Sequence, residues 1–193
     1  MDLPHSTPRR LTPASFEQHE YAPAWSPDGA WVAFTSWDER ERGHLWRIRV
    51  RGGNPERLTE RAGEYIHAVW SPAGDEIVFA RGSGATLRGR SWGSNAWYEL
   101  VRVPASGGAV QLVTRVSALG GGQIVRPTIG SDGRIYYPER KTGDGEQPST
   151  HLRSVTVDGI DKRTHLKLPY ADEITPSPNG EWVAFQEGAN AYM

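Results

Sequence analysis

Trp25-Ser26-Pro27-Asp28-Gly29 and Trp70-Ser71-Pro72-Ala73-Gly74 are two copies of one pentapeptide, and their recurrence decides the fold. Looser copies are Ile129-Gly130-Ser131-Asp132-Gly133 and Pro176-Ser177-Pro178-Asn179-Gly180. The closing glycines 29, 74, 133 and 180 are spaced by 45, 59 and 47 residues. A short apolar run follows each: Trp31 to Phe34, Ile77 to Phe79, Ile135 to Tyr137, and Trp182 to Phe185. Proline presets φ for a turn, and an Asp/Asn-Gly end supplies a local hydrogen bond and a positive φ. Each copy therefore reads as strand, tight turn, strand. In the third copy Gly130 and Ser131 stand where Ser and Pro are expected, so its turn is the less well specified one.

A second module follows each turn. His44 to Val50 leads through Gly52-Gly53 to Pro55-Glu56-Arg57-Leu58-Thr59. Tyr98 to Val103 leads through Gly107-Gly108 to Val110-Gln111-Leu112-Val113-Thr114. A looser third copy runs from His151 to Val157 through Asp158-Gly159 to His165-Leu166. Together the modules make four antiparallel strands, a-b-c-d, in a meander of about 40–50 residues, the signature of a propeller blade. The fold expected is all-β: a β-propeller of four-stranded antiparallel blades, with about four blade equivalents over residues 1–193. Blades are expected at 20–59, 64–114 and 124–166, with an a-b unit and the start of c at 171–193.

Composition agrees. Of 193 residues, 22 are Gly and 14 Pro, yet aromatic residues reach 10% with eight Trp. Disordered chains have the turn formers without the large apolar side chains. Glycines and prolines turn the blade corners, and Trp25, Trp31, Trp46, Trp70 and Trp182 are expected to fill the space between blades. Net charge is −1, from 22 Lys+Arg against 23 Asp+Glu, so nothing in the overall charge calls for nucleic acid or an anionic membrane. No apolar run approaches the roughly 18–20 residues of a membrane helix. With no Cys, disulfides and thiolate metal sites are excluded while the compartment stays open. Met1 to His5 lacks the charged and apolar regions of a signal peptide.

Met1 to Thr12 aligns without a gap on Ile48 to Thr59, so residues 1–12 read as the c-d remnant of a blade. Residues 190–193 fall where another strand c begins. Two explanations stand: a piece of a longer propeller, or a half-ring whose first twelve residues complete the last blade of the same chain or of a symmetry mate. Either leaves terminal blade faces able to self-associate.

The W-S-P-D-G turn, the apolar strand after it and the Leu-Thr ending of strand d resemble the TolB-like, WD-like propeller repeat of bacteria. Three stretches carry a narrower likeness: Glu20 to Trp25, Gly43 to Trp46, and Ala171-Asp172-Glu173 with Trp182 to Gly188. They look like the propeller region preceding the metal-dependent hydrolase barrel of bacterial amidohydrolases. That resemblance implies a hydrolase domain, covalently joined or not, as partner. It implies nothing catalytic within these residues, and suggests a periplasmic or secreted setting only by analogy with TolB-like proteins.

Catalytic motifs are missing. The six His residues form neither H-x-H nor H-E-x-x-H, and no G-x-S-x-G elbow occurs. Gly120-Gly121-Gly122 and Gly82-Ser83-Gly84 lack the strand-to-helix setting of a phosphate loop. No catalytic residue, metal or cofactor is expected on this chain. Binding is expected on one face, because the a-b and c-d turns are short while the b-c segments Ser36 to Gly43, Arg81 to Trp97 and Glu139 to Thr150 are long. Counting back seven residues from each turn glycine places Ala22, His67, Arg126 and Glu173 at one phase of the innermost strand. With Glu20, Glu64 and Asp172 just before them, the channel-mouth candidates are Glu20, Glu64, His67, Arg126, Asp172 and Glu173. On the loop face Arg81, Arg88, Arg90 and Trp92 form an Arg/Trp mix suited to a protein or ligand contact. The expected role is a scaffold that positions or gates a hydrolase domain, or alternatively a stand-alone module binding a protein or peptide.

Overall fold

A computed structural model describes residues 8–85, 89–90, 95–118, 125–142 and 147–193. The first blade is β1 (His19–Trp25), β2 (Trp31–Asp38), β3 (Arg42–Arg49) and β4 (Glu56–Arg57). Next come β5 (Tyr65–Trp70), β6 (Glu76–Gly82), β7 (Trp97–Pro104) and β8 (Gln111–Ser117). The third blade is β9 (Thr128–Ile129), β10 (Ile135–Lys141), β11 (Ser149–Val155) and β12 (Lys162–Leu168). The fourth has three strands, β13 (Glu173–Pro176), β14 (Val183–Glu187) and β15 (Asn190–Tyr192). Each sheet is an antiparallel meander in chain order, so the molecule is a β-propeller of four blades in series.

The turns form as the pentapeptide requires. Gly29, Gly74, Gly133 and Gly180 take φ between 67° and 75°, and each donates its N–H to the carbonyl three residues earlier at 2.9 Å. In three copies a serine reinforces the turn: the Oγ of Ser26, Ser71 and Ser177 accepts from the N–H five residues on, at 2.9–3.1 Å. Gly130 has no hydroxyl, and its turn closes one residue sooner, Gly130 N–H bonding the carbonyl of Arg134 rather than a residue five away. Ile135 consequently takes the place that Val32 and Ile77 hold after the longer turns, each pairing with the last residue of its strand a.

Burial follows a period of two within a blade that is covered on both faces. Ile77 and Phe79 join Ala33, Leu45, Leu58, Val101 and Val103 in the core between the first two blades. Their neighbours Val78 and Ala80 join Leu100, Ile135, Tyr137 and Val155 between the second and third. A smaller cluster of Val32, Phe34 and Ile48, with Leu11 and Phe16 against it, lies on the outer face of the first blade.

Two tryptophans depart from the filling role expected of them. Trp70 is buried at 6% exposure and its Nε1 donates to the Ala24 carbonyl at 3.1 Å across the blade boundary. Trp25, its counterpart one blade earlier, is 63% exposed, and Trp182 in the last blade is 59% exposed. Among the described residues, no further blade packs on the faces that carry them. Among the described residues, the strands of blade 4 do not pack on those of blade 1 as neighbouring blades pack on each other.

Candidate functional site

The inner strands of neighbouring blades lie side by side, which brings their equivalent positions together. Ala22 and His67 both sit in the left-handed region, at φ 48° and 50°, where strand pairing slips between Tyr21 and Ala24 and between Ile66 and Val69. Such a bulge turns side chains that would otherwise follow the pleat, at a cost of about 1–3 kcal/mol for a non-glycine residue. The His67 imidazole is partly buried here. Burial first, and the charge of Arg126 second, lower its pKa to about 4. Arg126 in turn bridges to Glu173 of the next blade, Nη1 to Oε1 at 3.1 Å, with both side chains about half exposed. His67, Arg126 and Glu173 thus form a neutral imidazole beside an inter-blade ion pair.

Titration of the imidazole checks this arrangement. His67 should remain neutral down to about pH 4, against an ordinary value near 6.5. A folded pKa below the unfolded one means that the unfolded chain takes up the proton first. This contribution to stability is therefore complete above about pH 6.5 and is lost as the pH falls towards 4. In NMR titration, Arg126→Ala should raise the His67 pKa while leaving the larger effect of burial.

The three acidic residues expected beside this ring are engaged elsewhere. Glu64 is buried at 1% exposure; its carboxylate accepts from the Gly84 N–H at 3.1 Å and its carbonyl from the Gly82 N–H at 2.9 Å. Asp172 does the same work in the last blade, accepting from the Gly188 N–H at 3.0 Å and from the Tyr170 hydroxyl. These two carboxylates anchor the start of the b-c connection to the start of strand a. Glu20 accepts from Thr12 Oγ1 at 2.8 Å and pairs with Arg10, tying the N-terminal segment to the first blade.

On the loop face, Arg81 and Arg115 clamp the carboxylate of Glu99 from two sides. Burial of Glu99 raises its pKa, but the hydrogen bonds and charges of the two guanidiniums outweigh it and hold the carboxyl below the usual range. Arg115 also lies over the Trp97 ring, 4.8 Å from its centroid. Sequence reasoning named Arg81 but missed Glu99 and Arg115. The available signal was that Arg81, Glu99 and Arg115 occupy one row of three paired strands. Asn95 Oδ1, accepting from Ser83 Oγ at 2.9 Å and the Ala85 N–H at 3.2 Å, pins the base of this connection. Arg90 is exposed. Arg88 and Trp92 lie outside the described residues, as does Gly120-Gly121-Gly122. Among the described residues, no three His, Asp or Glu side chains converge as a metal ion requires.

No family model matches the chain. A protein of Agrobacterium fabrum strain C58, Atu1656, is 38% identical over 80 residues, 41% of this chain and 26% of that protein. The peptidase YuxL of Bacillus subtilis strain 168 is 32% identical over 89 residues, 45% of this chain and 14% of its own length. The chain therefore matches only a minor part of either relative. Among solved structures, TolB from Acinetobacter baumannii superposes with a TM-score of 0.58 at 23% identity, over 88% of this chain and 38% of that one. The likeness establishes a TolB-like propeller fold.

Proposed function

We propose that the chain is a non-catalytic propeller scaffold that holds a partner across its loop face and channel mouth. The partner is a hydrolase domain, joined to it or bound by it. The observation that carries this reading is the gathering of His67, Arg126 and Glu173 at the inner strands, on the side where the long b-c connections emerge. A rigid frame with its connections elaborated on one side is how propellers and other β folds present contacts. The likeness to the propeller region of amidohydrolases points to a hydrolase as the partner. The YuxL match supports a catalytic companion more generally, since most of that peptidase lies outside the similar stretch.

The contact is tested by selecting a random-peptide phage library against the immobilised protein. Selected peptides should lose binding on Arg126→Ala or Glu173→Ala and keep it on Asn179→Ala, which alters the opposite, a-b turn side. Peptides sensitive only to Asn179→Ala overturn the loop-face assignment. Reading the coding frame past Met193 tests the joined form of the partner. Continuation into a barrel carrying H-x-H supports it, and a stop codon there overturns it.

A further inference from the structure

Independently of that reading, we infer that the seam between blades 1 and 2 binds a carboxylate carried on a short apolar group.

Residues 60–64 link blade 1 to blade 2, and a cleft of about 220 Å³ opens beside them. Glu60 and Arg61 of the linker line it, with Tyr65 and Arg81 of strands β5 and β6 and Ala109 and Val110 of the c-d connection. Backbone hydrogen bonds fix its frame. The Gly63 N–H bonds the Gly43 carbonyl at 2.9 Å, and the Gly108 N–H bonds the Leu58 carbonyl at 3.1 Å. Tyr65, buried at 2% exposure, donates its hydroxyl to the Arg61 carbonyl at 2.8 Å. That bond holds the linker so that Arg61 flanks the cleft before any ligand arrives, which reduces the ordering cost of binding.

Two guanidiniums are available to a ligand. Glu99 Oε2 accepts from Arg81 Nε at 2.8 Å and from Nη2, leaving Nη1 uncommitted to it. A guanidinium has five N–H donors, so it can hold one carboxylate along the Nε–Nη2 edge and still donate through Nη1. Arg61 is exposed, and among the described residues its guanidinium has no carboxylate partner. Burial raises the Tyr65 pKa, and the charges of Arg81 and then Arg61 oppose that rise, so both cations stand near the buried hydroxyl.

The charge balance selects the ligand. Arg115 holds the other oxygen of Glu99 at 3.1 Å, so three guanidiniums stand against two carboxylates, Glu60 and Glu99. One positive charge is left over, which matches a monoanion and falls short of a phosphate dianion. Ala109 and Val110 make the remaining wall apolar and favour a small apolar group beside the charge. A free branched acid and the C-terminal residue of a peptide share this chemistry.

NMR titration of the isotope-labelled full chain tests the site. N-acetylvaline should shift the Ala109 and Val110 amide resonances saturably, and N-acetylvalinamide, which lacks the charge, should not. Arg61→Gln alters an exposed side chain and should weaken N-acetylvaline binding by about tenfold. Glu60→Gln should tighten it by up to about fivefold, a gain that misfolding could not produce. Isobutyrate binding at least as tightly as N-acetylvaline supports the site with a free acid as its ligand. Weaker isobutyrate binding supports it with a chain end. No saturable shift, an amide that binds as well as the acid, tighter binding of inorganic phosphate, or undiminished binding to the Arg61 variant each overturns the inference.

Discussion

Phe79→Ala is expected to destabilise the protein by about 3–5 kcal/mol, a large part of what holds a domain of this size together. The side chain is wholly buried at the centre of the core between blades 1 and 2. It lies against Tyr65 edge-to-face, so the substitution removes both its transfer free energy and an aromatic pair. Rigid strands on both sides leave the cavity little scope to collapse. Urea denaturation followed by tryptophan fluorescence measures the loss. The informative control is Phe185→Ala, at the same place in blade 4, where the side chain is only partly covered and stacks on Tyr192 at 4.9 Å. The cost there should be less than half as large. Equal costs at the two sites would contradict the placement of the main core in the first three blades.

Gly43→Ala should cost about 3 kcal/mol, near the upper end of what overpacking produces. A Cβ there would lie 2.1 Å from the Gly63 carbonyl oxygen and 3.2 Å from both the Ser36 carbonyl oxygen and the Trp37 ring. The nearest obstacle is backbone, held in place because the Gly63 N–H bonds the Gly43 carbonyl at 2.9 Å. Relief requires the linker between blades 1 and 2 to move, and that linker carries the buried Glu64 and leads into His67. The substitution should therefore also shift the His67 imidazole resonances. Gly29→Ala provides the contrast: its Cβ would meet nothing within 4 Å, and the penalty is only that of an alanine at φ 67°, about 1–2 kcal/mol. Thermal and urea unfolding of the two variants must rank them in this order.

The His67, Arg126 and Glu173 alignment was readable by counting back from the turn glycines, because equal spacing places residues at equal depth along the inner strands. Glu20, Glu64 and Asp172 were not readable in the same way. Adjacent residues of a strand point to opposite faces, and a bulge or a linker of different length reverses the assignment. Glu64 turns inward to the Gly84 N–H because Gly82, with no side chain, allows its carboxylate a close approach. The pairing of Glu99 with Arg81 and Arg115 needed the register of three strands, which the pentapeptide repeat does not specify.

The blade's four strands, its turn chemistry and the order of its repeats were all legible from the residues alone, because they depend on interactions within about 50 residues. Tertiary structure alone decided which faces are covered. Trp25 and Trp70 stand at the same place in the same motif, yet one is open to solvent and the other donates a hydrogen bond into the preceding blade. The difference comes from the neighbour rather than the residue, since apolar burial depends on what packs against a surface.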